Sequence, residues 1–340
     1  MNESGTGLRV HTLGTGGGPI VSASRAGTST LIDVDGAGYL IDCGMGSIRN
    51  YRDASTWSAL RAIFLTHHHS DHLYDLGAYL VTGWEVPGES FAQPVDVYGP
   101  HRAERIPAPD EASATEYAAR AGDRRPNGTT DIVNSLLDGV FGNDICIRMA
   151  DEGRGDPRRW IRPHDIELPP GLADPVRQRH PEMEPVVVHR DDRVTVTAIL
   201  VDHRLCYPAY AYRFDTEYGS VVISGDTAPS RNCIRLAQGA DLLLHEVIDL
   251  DAMLASLPPG ATRAGIETHL RESHTPHDEV GQVAADAGVG MLVLHHIVPN
   301  TPDATDPDRL MTAAAKQFSG TVRVAEDGDV FAVSAMAVAR

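Results

Sequence analysis

A series of short apolar segments, each ending in a histidine or an aspartate, limits what this chain can fold into more than any other feature. Ala62-Ile63-Phe64-Leu65 runs directly into Thr66-His67-His68-His69-Ser70-Asp71-His72. If Ala62 to Thr66 is a buried strand, His67 and His69 leave it two residues apart. Strand alternation then points both imidazoles to one side, where they can share a metal ion. Asp71 and His72 fall where the chain turns into the apolar-periodic segment Leu73 to Trp84, so the carboxylate sits near a helix N-terminus and faces a second position. Val194 to Val201 ends in the same way at Asp202-His203, Ser220 to Ile223 at Ser224-Gly225-Asp226-Thr227, Asp241 to Leu244 at His245-Glu246, and Met291 to Leu294 at His295-His296. Strands packed side by side bring such ends together along one sheet edge. A single His or Asp at a strand end is more often a cap or a satisfied core group. Taken jointly, so many buried imidazoles and carboxylates without a cation carry a large desolvation cost. Imidazole and carboxylate donors without thiolate suit zinc, with manganese or iron as competitors.

The 340 residues, 42% of them hydrophobic, supply one large core or two ordinary ones. A net charge of -18 disfavours partners captured by a basic surface, so nucleic acid and anionic membrane are not expected, while a small anionic or ester substrate is. Cys43, Cys146, Cys206 and Cys233 contain no CxxC pair and read as free thiols of a reducing compartment. Met1 to Gly7 has neither a basic start nor an apolar stretch, and no apolar run approaches ~18 residues, which predicts a cytoplasmic protein. A homodimer is left open.

Along the chain, Leu8 to Leu13 reads as a strand entering Gly14-Thr15-Gly16-Gly17-Gly18-Pro19. This cluster lacks the third glycine of a dinucleotide fingerprint and the Gly-Lys-Ser/Thr of a Walker loop, and is read as a tight turn that approaches the site. Thr28 to Val34 and Tyr39 to Ile41 form a hairpin around Asp35-Gly36-Ala37-Gly38. From about residue 100 to 190 the pattern changes to helix-like runs, Ala112 to Ala121 and Thr130 to Phe141, and a Gly/Pro/Arg-rich stretch, and is read as an insertion. Its Arg154, Arg158, Arg159 and Arg162 could make a lip that receives an anion, but interleaved acids favour an ordinary solvated loop. Thr275-Pro276 makes a sound helix start for a segment running to Ala287. Asp306 to Phe318 reads as a helix, and Thr321 to Val324 and Val330 to Val333 as strands.

Leu13-Gly14-Thr15-Gly16, Leu40-Ile41-Asp42-Cys43-Gly44, the HxHxDH run, Tyr98-Gly99-Pro100, Val201-Asp202-His203, Gly225-Asp226-Thr227 and Leu294-His295-His296 together resemble the metallo-β-lactamase superfamily, in the branch holding ribonuclease Z, arylsulfatase-like and phosphodiesterase members. The resemblance covers nearly the whole chain. It implies an α/β protein with an αββα sandwich, two β-sheets flanked by helices, as one domain over 1–340 with the helical insertion. It further implies a binuclear site with His67, His69 and His203 on one ion, Asp71, His72 and His296 on the other, and Asp226 bridging. His296, followed by Ile297, matches the terminal ligand better than His295. His68 fills a variable slot behind the ligands, and Cys206 is given no ligand role and is read as a small buried hydrophobe. His274 resembles the histidine that protonates the departing oxygen, with Asp71 orienting the nucleophile. The expected activity is hydrolysis of a small ester, a phosphodiester or sulfate ester, by water ionised between two Zn2+ ions (Mn2+ or Fe as alternatives). The alternatives are a tRNA 3′-processing endonuclease (ribonuclease Z) and a lactone or carboxyl-ester hydrolase. Against the endonuclease stand the acidic charge and a connection of only Asp215 to Gly219 where a basic arm is expected. Diiron redox chemistry is disfavoured by His69, where such enzymes carry a carboxylate.

Overall fold

Alternation along the central strands decides the architecture. In the computed structural model, which describes residues 6–257, 262–301 and 306–335, Tyr39, Ile41, Ala62 and Phe64 join one apolar cluster while Leu40, Ile63 and Leu65 join another. Both faces are therefore buried, as expected for near-continuous apolar strands covered on each side. Each such fully buried large side chain contributes about 1.5–3 kcal/mol relative to exposure.

The strands are β1 (Leu8–Gly14), β2 (Ser29–Val34), β3 (Ala37–Ile41), β4 (Leu60–Phe64), β5 (Val95–Pro100), β6 (Ile161–Ile166), β7 (Val186–Arg190), β8 (Thr195–Leu200), β9 (Tyr210–Thr216), β10 (Gly219–Ile223), β11 (Leu242–Ile248), β12 (Met291–Val298), β13 (Thr321–Val324) and β14 (Val330–Val333). They form two seven-stranded mixed sheets, ordered β14-β1-β2-β3-β4-β5-β6 and β13-β12-β11-β10-β9-β8-β7. The sheets face each other across one core, in which Val10, Ile32, Tyr39 and Phe64 meet Val196, Tyr212, Phe214 and Val221. Helices Ser47–Ala54 and Leu76–Glu85 cover the first sheet through Tyr51, Tyr79 and Leu80. Arg231–Ala237, Val280–Ala287 and Pro307–Ala314 cover the second. This is an αββα sandwich, α/β in class.

Two segments inside the stretch read as an insertion are sheet strands: β6 forms one edge of the first sheet and β7 one edge of the second. Their sequences, IRPHDI and VVVHR, carry the polar, half-exposed residues that edge strands tolerate. Helices Glu111–Ala121, Thr129–Ser135 and Gly142–Asp151 lie between β5 and β6. Thr275-Pro276 does not open a helix; the helix begins at Val280, because the Thr275 hydroxyl donates to the Thr227 carbonyl at 2.7 Å instead of capping. The polar start Met1 to Gly5 lies outside the described residues. Among those described, no helix is long and apolar enough to cross a membrane.

Candidate metal centre

Buried Asp226, delivered by the turn after β10, is the point on which the histidines converge. Its Oδ2 lies 3.8 Å from His67 Nε2, 3.8 Å from His203 Nε2, 3.5 Å from His72 Nε2 and 3.3 Å from His296 Nε2. His69 Nδ1 is 3.1 Å from His203 Nε2, and the His67 and His69 rings stand 4.7 Å apart. Asp71 Oδ2 is 3.5 Å from both His72 Nε2 and His296 Nε2. The sequence-selected residues thus meet in two neighbouring groups that share Asp226.

The backbone explains several of these directions. The chain leaves β4 through a bend at Thr66, and Ser70–His72 is a single 3-10 turn that folds Asp71 and His72 back on His67. In β12 the register against β11 slips after Glu246, leaving His296 as a bulged residue with φ of 45°. Its neighbour His295 turns the other way, toward the Gly14 carbonyl at 3.1 Å and the Thr30 hydroxyl at 3.3 Å. The glycine loop closes over the site: Gly18 N–H donates to Asp71 Oδ2 at 3.0 Å, and a side chain at Gly18 would collide with Asp71.

Three of the rings are aimed by a partner on the far side. His72 Nδ1 donates to Asp42 Oδ2 at 2.8 Å, and that carboxylate also accepts from the Thr66 hydroxyl at 2.7 Å and the Thr66 N–H at 2.8 Å. His203 Nδ1 donates to the Ser273 carbonyl at 2.7 Å. His67 Nδ1 lies 3.1 Å from the Thr66 hydroxyl. These contacts hold Nε2 of His67, His72 and His203 toward Asp226. Asp42 was legible only as a residue after a strand; its positive φ of 56° is one of few at non-glycine positions and marks the bend that aims it.

The donors fit a pair of divalent cations. Among the described residues, His67 Nε2, His72 Nε2 and Asp226 Oδ1 are buried without a hydrogen-bond partner, a condition costly enough to need an explanation. Burial, reinforced at His67 by the His72 imidazole, pushes His67 and His203 well below the ordinary histidine range, and burial lowers His69 as well. Burial works against ionised Asp226 and Asp71, but the surrounding imidazoles outweigh it and hold both carboxyls low. Burial likewise opposes the His72 cation, yet Asp226, Asp42 and Asp71 together raise it well above the ordinary value. Neutral imidazoles and ionised carboxylates are the states a metal takes, and the negative surroundings of His72 call for positive charge.

His274 stands beside this cluster, its ring 5.3 Å from that of His203 and 5.9 Å from that of His296. Its Nδ1 donates to Glu246 Oε1 at 3.1 Å, leaving Nε2 for the site. Glu246 Oε1 also accepts from the N–H groups of Thr227 and Thr275, at 3.0 and 3.1 Å. Burial disfavours the imidazolium, but Glu246 by charge and hydrogen bond, with Asp226 and Asp71 behind it, raises His274 to about 9. His245, which ends the same strand, has a structural place instead, bonded to the Glu246 carbonyl at 2.8 Å.

Two other expectations, for His68 and Cys206, are corrected, while the arginines keep the character of a solvated loop paired with its own acids. His68 does not stand behind the ligands: its Nε2 meets the Thr129 hydroxyl at 3.0 Å, beneath the helical segment. Arg154 and Arg158 are engaged by Glu152, Asp138 and Asp156, and the cavity by Arg154 is walled by Trp84, Phe91 and Trp160, not by any residue of the cluster. Cys206 is not an isolated buried apolar residue, because its sulfur lies with the ligand atoms of His67, His69 and His203, all within 4.8 Å of one another.

Known proteins share this arrangement of chain. The Metallo-beta-lactamase superfamily model matches residues 24–197. Ribonuclease Z of Mycobacterium bovis (strain BCG / Pasteur 1173P2) is 30% identical over 321 residues, 94% of this chain and 96% of that protein. Ribonuclease Z of Mycolicibacterium paratuberculosis (strain ATCC BAA-968 / K-10) is 31% identical, again over 94% and 96%. Among solved structures, the metallo-beta-lactamase fold protein YhfI from Bacillus subtilis superposes with a TM-score of 0.59 at 20% identity, covering 95% of this chain and 99% of that one. Human tRNase Z, short form, superposes with a TM-score of 0.57 at 17% identity, covering 96% and 99%. The ribonuclease relatives overturn the expectation that nucleic acid is not a partner. That expectation rested on a net charge of -18, which sums over the whole surface and does not describe the potential at one groove. The match over residues 24–197, which include the HxHxDH run, and relatives of this identity over nearly its full length make this protein a hydrolytic enzyme acting on ester bonds that belongs to the metallo-beta-lactamase superfamily.

Proposed function

We propose that the chain is a zinc-dependent phosphodiesterase of RNA that cuts at the 3′ end of a tRNA precursor. The observation that carries the chemistry is the placing of the His274–Glu246 pair against the Asp226-centred cluster, which sets a proton donor beside a site built to hold cations. The ribonuclease Z relatives supply the substrate class. In this reading His67, His69 and His203 would hold one ion and Asp71, His72 and His296 the other, with Asp226 within reach of both groups. Divalent cations held there would lower the pKa of a bound water toward neutrality and offset charge on the phosphoryl oxygens.

The chain's own groups do the rest. Asp71, kept ionised and tied to the Gly18 N–H, accepts a hydrogen bond from the attacking water and fixes its direction. His274, protonated at neutral pH, gives its Nε2 proton to the departing oxygen, while Glu246 retains the proton on Nδ1. An alkoxide leaving group needs that proton; a nitrophenolate does not. The test is turnover of a precursor tRNA with a 3′ trailer beside bis(p-nitrophenyl) phosphate, using zinc-loaded protein. Cleavage at the trailer junction, reduced by His274→Ala far more than hydrolysis of the aryl diester, supports the reading. An intact precursor with rapid aryl diester turnover rejects the RNA substrate, and absence of both activities rejects phosphodiester hydrolysis.

A further inference from the structure

The sulfur of Cys206 is a donor that the ligand set above does not use. Cys206 follows His203 by three residues, and its N–H donates to the His203 carbonyl at 2.9 Å, closing a turn in which Arg204 takes a φ of 50°. That turn folds the thiol back onto the imidazole it follows. The sulfur and one ring nitrogen each of His67, His69 and His203 lie mutually within 4.8 Å. His67 Nε2, fully buried and without a partner, is aimed into the same space. Imidazole nitrogen and thiolate sulfur are both donors that zinc takes.

On the reading that His67, His69 and His203 hold an ion, with Asp226 within reach, we infer that Cys206 is a further protein ligand to that ion, giving this position a soft donor. The thiol proton passes to solvent as the sulfur binds. A thiolate prefers zinc, cobalt or cadmium to manganese or magnesium, so Cys206 is also the residue that selects zinc here. The histidine-and-carboxylate set at His72, Asp71 and His296 has no such preference built in. The other cysteines are elsewhere: Cys43 and Cys233 are buried in the apolar clusters and Cys146 is exposed on the helical segment.

The test replaces the native metal with cobalt in the full chain and reads the near-ultraviolet sulfur-to-cobalt charge-transfer band beside the visible ligand-field bands. Wild-type protein is expected to show both, and Cys206→Ser to lose the first and keep the second. Zinc taken up from an equimolar zinc and manganese mixture should fall in Cys206→Ser by elemental analysis. As a check that does not depend on a variant folding, alkylation of wild-type protein mapped by mass spectrometry should be suppressed at Cys206, but not at Cys146, by adding zinc. Ligand-field bands without a charge-transfer band in the wild type, or a band that survives in Cys206→Ser, overturns the sulfur ligand and leaves the histidine site standing. Failure of the wild type to bind cobalt or zinc at all overturns both.

Discussion

Replacing Glu246 by glutamine tests the proton donor most directly, because glutamine keeps an oxygen to accept the Thr227 and Thr275 N–H bonds and removes only the charge. Glu246 Oε1 sits 3.1 Å from His274 Nδ1 and its carboxylate is buried, so its attraction for the imidazolium is poorly screened. With it His274 is held up at about 9; without it burial, the largest opposing influence, is left to bring the ring to its ordinary 6.5 or lower. At pH 8 the protonated fraction then falls from about nine-tenths to about one-thirtieth, a loss of about 30-fold in a step that needs the proton. At pH 6 both forms are largely protonated and the loss is much smaller. Bound cations lower both values together, so in the metal-loaded enzyme the window between small and large loss lies at correspondingly lower pH. The assay is kcat/KM from pH 5 to 10 on precursor tRNA and on bis(p-nitrophenyl) phosphate, with the His274 ring proton followed by NMR. The alkaline limb should move to lower pH in Glu246→Gln for the RNA alone. A limb that stays in place, or a loss of equal size at every pH and for both substrates, would refute the role given to the pair.

Asp42→Asn should weaken metal binding by about 10–100-fold, because it removes the charge that fixes the His72 ring while an asparagine tolerates the positive φ; competition with a chromogenic chelator reads it. Removing metal should lower the thermal midpoint, since an ion at 1,000 times its Kd stabilises the folded chain by about 4 kcal/mol, and calorimetry with and without chelator decides. His295, pushed down to about 3 first by burial and then by His296, has a folded value below its unfolded 6.5. Its contribution is whole above pH 6.5 and is lost as pH falls toward 3, up to ~5 kcal/mol. Chelated His295→Gln should therefore show a shallower decline in denaturation free energy between pH 6.5 and 3 than chelated wild type.

Strand identity and the HxHxDH run were legible because they are local, while the grouping of that run with His203, Asp226 and His296 was implied by the resemblance. The two C-terminal strands fall where alternation and the turn Glu326 to Asp329 put them, and the HxHxDH spacing carries its own geometry. What sequence reading missed depends on register between strands, which no single segment encodes. Asp42 reaches His72 because β3 pairs with β4 so that Ile41 lies opposite Phe64, which sets the residue after each strand side by side. Glu246 reaches Thr227 and His274 because Ile223 lies opposite Leu244 in the pairing of β10 with β11. The two adjacent pairs make the same point in physical terms. Neighbours in a strand face opposite ways, so of His245 and Glu246, or of His295 and His296, one side chain at most can serve the site unless the backbone bends. Residue chemistry drew attention to both histidines and passed over the glutamate. Alternation would have posed the choice within each pair, and the answer came from the neighbouring strand: the slip after Glu246 turns His296 inward and sends His295 to the Gly14 carbonyl. Cys206 belongs to the same class, since a turn bent at Arg204, rather than any spacing rule, carries its sulfur back to His203.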